Sequence, residues 1–246
     1  MLASSILARH TPRILRGELS QNEEEFINKL EDENLIKRIK GPMIIGWGYL
    51  QPDEAVKYSV DLFIPRFFMR DASGELSDDV IARELGVRKD KIVGTNYMIK
   101  QDWCMKDLYY LAYTMMCVVD EVGIEGMVAV VLNPSTIVWH ALKMYEYLRK
   151  LKAAIDEYLA GNWESKGKFK VMHIKNPPPL SMLTRLLQGI GKIRQDEVVV
   201  NETGGKVRVP LQVLTRKGRE ELRTRAVIEK GYAVLSSADA LSKVST

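Results

Sequence analysis

Cys104-Met-Lys-Asp-Leu108-Tyr-Tyr-Leu-Ala-Tyr-Thr-Met-Met-Cys-Val-Val-Asp-Glu-Val122 is the stretch that decides how the rest of the chain is arranged. From Leu108 to Val119 it carries no charge and almost no polar side chain. A run apolar on nearly every face cannot lie against water, so it reads as a buried central helix around which other elements pack. At about 12 residues this centre falls short of the ~20 that cross a bilayer, and no membrane span is expected. Between Gln101 and Leu142 one base, Lys106, stands against five acids, Asp102, Asp107, Asp120, Glu121 and Glu125. That stretch is net −4 in a chain of net +4, which leaves +8 for the flanks. The middle is therefore scaffold, with Asp120 and Glu121 as the solvated end of its helix, and partners are expected at the flanks.

A chain of 246 residues, 46% hydrophobic and 28% charged, has the composition of an ordinary soluble globular protein with a sizeable core. Its two cysteines, Cys104 and Cys117, lie 13 positions apart on the central run. On one helix they sit roughly 20 Å from each other, too far for a disulfide. Free buried thiols point to a reducing, intracellular setting such as cytoplasm or nucleoid. Met1–Gly17 holds Arg9, His10, Arg13 and Arg16 and no acid, and reads as a basic N-terminal arm, with an organelle transit peptide as the alternative. His10, His140 and His173 lack metal-ligand spacing, and no nucleophile elbow, Walker loop or dinucleotide fingerprint occurs. Neither a cofactor nor a catalytic residue is expected, and the enzyme class is the weakest.

Working outward toward the N-terminus, Ser20-Gln-Asn-Glu23 is a capping box. It starts a helix with Phe26, Ile27 and Leu30 on one face, which continues or restarts through Leu35, Ile36 and Ile39 to Gly41-Pro42. Met43–Gly48 reads as a short strand or tight turn, and Pro52 opens a segment through Ile64. Ser77 caps a helix over Asp78–Leu85, Gly86 supplies a turn, and Lys89–Lys100 is expected to form a second helix. The run Ile81-Ala82-x-x-Leu85-Gly86-Val87, with Ile92 beyond it, resembles the helix-turn-helix family. The resemblance implies that Arg88, Lys89 and Lys91 lie at the exposed start of a recognition helix.

Toward the C-terminus, Asn133-Pro134-Ser135-Thr136 starts a helix with Ile137, Val138, Leu142, Tyr145 and Leu148 on one side, running as far as Leu159 and ended by Gly161. Lys166–His173 alternates like a half-exposed strand. Pro177-Pro178-Pro179 stiffens the chain and marks an expected domain boundary. Leu180, Leu183, Leu186, Leu187 and Ile190 then give an apolar helical stripe. Val198–Val200 and Val207–Leu214 are β-rich runs around the hairpin signal Asn201-Glu-Thr-Gly-Gly-Lys206. Pro210 confines the second run to an edge or a bulge. Thr215 caps Arg216-Lys-Gly-Arg-Glu-Glu-Leu222.

Helix, glycine, strand, glycine-tipped hairpin and Leu-Thr-x-x-Gly-Arg-x-x-Leu, in that order, resemble the winged-helix regulators. The resemblance implies that Leu183–Ile190 is a recognition helix with Thr184, Arg185 and Gln188 facing out. It also implies that Lys206 and Arg208 are wing residues along the phosphate backbone. Eleven bases against six acids lie between Arg185 and Lys230, and a basic face favours polyanions by releasing counterions. Lys192, Arg194, Arg216, Lys217 and Arg219 complete the candidate nucleic-acid contacts.

The expected fold is therefore α+β but predominantly helical, with the apolar helix at about 104–122 at its centre. The expected domains are an arm over 1–17, a helical domain over 18–176 and a winged-helix-like helix-hairpin-helix module over 177–246. The expected function is non-enzymatic binding of nucleic acid, DNA before RNA, by a homo-oligomer. The rival is a self-assembling structural subunit, of a virion or other nucleoprotein shell, that coats or packages nucleic acid. A regulator should be a dimer and a shell subunit a polymer.

Overall fold

The computed structural model describes residues 3, 6–7, 18–48, 50–60, 64, 67–70, 77–100 and 105–244. The expected basic arm lies outside these except at residues 3, 6 and 7, and so does Cys104. The chain forms two units, Met1–Met115 and Met116–Thr246, and the division runs through the central helix.

In the first unit, α1 (Gln21–Asp32) opens where the capping box places it. The Glu23 carboxylate accepts from the Ser20 amide at 3.0 Å and from its hydroxyl at 2.8 Å. The helix does not continue through Ile39. Asn34, in the left-handed region at φ 60°, turns the chain into strand β1 (Ile36–Pro42). The second helix expected over Lys89–Lys100 is also a strand. Helix α3 (Asp78–Leu85) is capped by Ser77 and closed by Gly86 at φ 65°, followed by a single 3-10 turn at Lys89–Lys91. Strand β2 (Val93–Ile99) then pairs antiparallel with β1, from Ile36 against Ile99 to Pro42 against Val93. The helix-turn-helix geometry is absent for this reason: the segment that should carry the recognition helix is extended. Between these elements, α2 (Pro52–Tyr58) joins Ile44, Phe67, Ile81 and Ile92 in a local core.

The central run forms α4 (Leu108–Val122), four residues shorter at its start than expected. Asp107 opens it: its Oδ1 accepts from the amides of Tyr109 at 2.7 Å and Tyr110 at 3.1 Å. Leu111, Ala112, Tyr113, Cys117 and Val118 are each 0% exposed, as an apolar helix surrounded on all sides requires.

The second unit contradicts the predominantly helical expectation. Six strands form one mixed sheet in the order β3-β4-β5-β6-β8-β7. These are β3 (Trp163–Lys166), β4 (Phe169–Met172), β5 (Val198–Thr203), β6 (Lys206–Pro210), β7 (Val227–Glu229) and β8 (Tyr232–Leu235). All neighbours are antiparallel except β4 and β5, which run parallel with α7 (Leu180–Gly189) as the crossover between them. The molecule is an α+β protein in which this sheet is the core of the second unit. The proline run is accordingly a connection inside the unit, because β4 before it pairs with β5 after it.

Alternation builds the two sheet faces. Phe169, Val171, Val198, Val200, Val207, Val209, Ala233 and Leu235 point to one face. There they meet Leu222 of α8 (Arg216–Arg223) and Ala238 and Leu241 of the C-terminal 3-10 turn. The opposite face receives α7, where Val199 donates its amide to Thr184 Oγ1 at 3.1 Å. The hairpin forms at Gly204 and Gly205, both left-handed, with Thr203 opposite Lys206. It is not a free wing, since β6 has β5 on one side and β8 on the other. Pro210 sits at the last position of β6, where its missing donor does least harm to the ladder. The long helix α6 (Ile137–Leu159) and the shorter α5 (Ile124–Leu132) precede the sheet in sequence.

Candidate functional site

The β5–β6 hairpin and the segment leading into the prolines form a basic crevice on the α7 side of the sheet. In register, Asn201 faces Arg208 and Thr203 faces Lys206, so the four side chains share one face. Asn201, 1% exposed, clamps the incoming chain: its Oδ1 accepts from the Ile174 amide at 2.8 Å and its Nδ2 donates to the Ile174 carbonyl at 3.0 Å. That pair of hydrogen bonds to one residue's backbone carries Lys175 to the crevice. The opening, about 210 Å³, is lined by Lys175, Lys206 and Arg208, with Glu229 the one acid among its lining residues. All three cations are exposed and can release counterions to a bound polyanion.

A second crevice of about 100 Å³ shares Pro177, Arg208 and Glu229 with the first and ends at Asp120. Asp120 is 1% exposed, not the solvated helix end expected from sequence. Its Oδ2 accepts from the Ser181 amide at 2.9 Å and hydroxyl at 2.6 Å, and its Oδ1 accepts from Gln212 Nε2 at 2.7 Å. Burial raises its pKa to about 6, against the pull of the Ser181, Gln212 and Tyr232 hydrogen bonds. The physical need is plain from the sequence before α7. Three prolines offer no capping oxygen, so a carboxylate from α4 reaches the helix's free amide instead.

The implied recognition helix does not present its polar residues to a partner. Thr184 is 0% and Gln188 is 3% exposed, since α7 is buried along most of its length. Gln188 Nε2 donates to the carbonyls of Gln195 at 2.9 Å and Glu197 at 3.1 Å, which fastens the loop leading into β5. Arg185 is half-buried and bonds to Gln188 Oε1 at 3.3 Å, while its Nε has no partner among the described residues. The apolar stripe was visible in sequence, but the second, polar stripe is buried as well because the sheet lies under it.

The remaining predicted contacts are scattered. Lys192 and Arg194 are exposed on the α7–β5 loop, and Arg194 is held by Asp196 at 3.6 Å and Glu197 at 3.4 Å. On α8, Arg216 pairs with Glu220 at 3.0 Å and Lys217 reaches Glu221 at 3.9 Å, while Arg219 is exposed. Arg88, Lys89 and Lys91 belong to the first unit, where Arg88 pairs with Asp90 and Lys89 with Asp79. Only Lys206 and Arg208 of the predicted set meet in one crevice. Lys175, Asn201 and Glu229 were missed: a lysine two residues before a proline and a hairpin asparagine carry no local signal that they converge.

A second buried charge cluster lies across the sheet edge. Lys170 Nζ sits 3.1 Å from Glu197 and 4.8 Å from the Trp163 ring centre, and Trp163 stacks on Tyr158 of α6 at 5.0 Å. Burial pushes Glu197 up, but the Arg194 amide and Lys170 outweigh it and hold the carboxyl below its ordinary value. This cluster joins β3, β4, α6 and the loop leading into β5. Among the described residues no group of three or more His, Cys, Asp or Glu side chains could hold a metal ion, and no helix is long and apolar enough to cross a membrane.

Compared with known proteins, the chain matches no family model and no curated protein.

Proposed function

We propose that this is a non-enzymatic nucleic-acid-binding protein that engages phosphate at the crevice formed by Lys175, Lys206 and Arg208. The observation that carries the reading is the convergence of these three cations on one opening. The charge of the unit agrees: Met116–Thr246 has twenty bases and fourteen acids, net +6, whereas Met1–Met115 has sixteen and eighteen, net −2. The hairpin then takes the part that the wing takes in the winged-helix proteins its sequence resembles, lying along a phosphate backbone. Base-edge readout by Arg185 and Gln188 is dropped, since Gln188 is buried and Arg185 half-buried. Binding is therefore sequence-tolerant, with DNA the first polyanion to test and an intracellular setting implied.

The test is a filter-binding or anisotropy titration of the full chain against random duplexes at several salt concentrations. Lys206→Glu combined with Arg208→Glu should weaken binding on every sequence alike and reduce the salt slope by about two. Unchanged affinity and slope would remove the crevice from the reading.

A second reading, a self-assembling subunit that coats or packages nucleic acid, has its own support. Large apolar side chains stand exposed on α5 and the start of α6, among them Leu132 and Trp139. In that case the same basic crevice serves a polymer along the nucleic acid.

A further inference from the structure

We infer that the exposed apolar face of α5 and the first three turns of α6 is the surface on which a second copy of this chain docks. The inference deepens the assembly reading and rests on it. On α5, Ile124, Val128 and Val131 recur at i, i+4 and i+7, with Leu132 beside them. On α6, Trp139, Leu142 and Tyr145 continue the pattern past the Pro134–Thr136 turn. Both helices already bury a different stripe: Gly126 and Val130 on α5, and Ile137, Met144, Tyr147 and Leu148 on α6. A surface helix with one buried stripe ordinarily turns a polar one outward. These two turn a second apolar one.

Magnitude separates this from scattered surface leucines. Leu132 is 79%, Trp139 71%, Leu142 70% and Ile124 68% exposed. Together the seven side chains leave on the order of 800 Å² open across the two helices. The same figure is one partner's share of a standard protein interface, about 800 Å².

The charges at its border select the occupant. Glu125 is the only charged residue of α5, so this helix has no base to draw it to an anionic membrane or to nucleic acid. On α6 the signs alternate along the exposed side as Lys143, Glu146 and Arg149, with Lys150 paired to Glu146 at 2.9 Å. An antiparallel two-fold pairing centred between Leu142 and Tyr145 sets each copy's Leu142 against the other's Tyr145. The same operation brings Lys143 of each copy near Glu146 of the other. A self-complementary pattern of this kind suits an isologous contact, in which one patch serves both partners.

The experiment is sedimentation equilibrium of the full chain without nucleic acid, comparing wild type with Trp139→Asp and Leu142→Glu. Wild type should associate, and each variant should raise the dissociation constant at least about 30-fold, the effect of losing one interface hot spot. Because both positions are exposed, melting midpoints taken at concentrations where wild type is dissociated should stay unchanged, and Val131→Asp serves as a third probe if either variant unfolds. A wild type that stays monomeric at every concentration overturns the inference and the assembly reading together. Association that survives all three substitutions overturns the inference alone, since copies then meet elsewhere. Flotation of a monomeric wild type with anionic or neutral vesicles would assign the face to lipid and also overturn it. Duplex titrations of the variants report separately on the basic crevice, so failure there leaves this inference standing.

Discussion

Asp120 shows what burial does to one residue. Its neighbours in sequence, Val119 and Glu121, give no hint that it leaves water, yet its two oxygens take hydrogen bonds from Ser181 and Gln212. Burial still dominates and holds the carboxyl at a pKa of about 6 instead of 3.8. Because the folded value is the higher one, only the folded state keeps the proton between about pH 4 and pH 6. Stability from this group is therefore fully present below pH 4 and lost as pH rises through 6, by on the order of 3 kcal/mol. Asp120→Asn cannot titrate. Its stability relative to wild type should improve by up to that amount between pH 4 and pH 7, as read from denaturant midpoints. A wild-type-minus-variant difference that is flat across the window would refute the assignment.

At the scale of elements, the amphipathic and capped helices were legible where their signals are local. Ser20, Ser77 and Thr215 all open helices, and Gly86 and Gly161 sit left-handed at helix ends. Strands β1 and β2 were not legible, because Ile36 and Ile39 fit a helical face equally well and their pairing partner lies far along the chain. The central helix is the element with most to lose. Leu111 is fully buried and Met115 nearly so. Replacing either by alanine removes buried methylenes and leaves a cavity, and the loss should be about 2–5 kcal/mol in unfolding free energy. Effects near zero on the melting midpoint would mean that this part of α4 faces solvent.

For the whole molecule, charge and the sheet define the units more firmly than the proline run does. A true boundary at Pro177 would let residues 177–246 fold alone. In the structure that fragment lacks β3 and β4, so β5 loses its parallel neighbour and α7 loses the Asp120 carboxylate at its start. Expressed by itself, Pro177–Thr246 should show no cooperative thermal transition by circular dichroism, whereas the full chain should. A sharp transition in the fragment would restore the boundary.

The sequence by itself determined the buried central helix, most helix starts, the glycine-tipped hairpin and the basic balance of the C-terminal half. Each follows from residues within a few positions of one another, through periodicity, capping or turn geometry. Only the tertiary structure decided that the hairpin is the middle of a six-stranded sheet, that α7 is buried on its polar side too, and that Lys175 joins Lys206 and Arg208 at one crevice. Those outcomes depend on strand partners and carboxylates brought from distant parts of the chain, and no local pattern encodes which partner arrives.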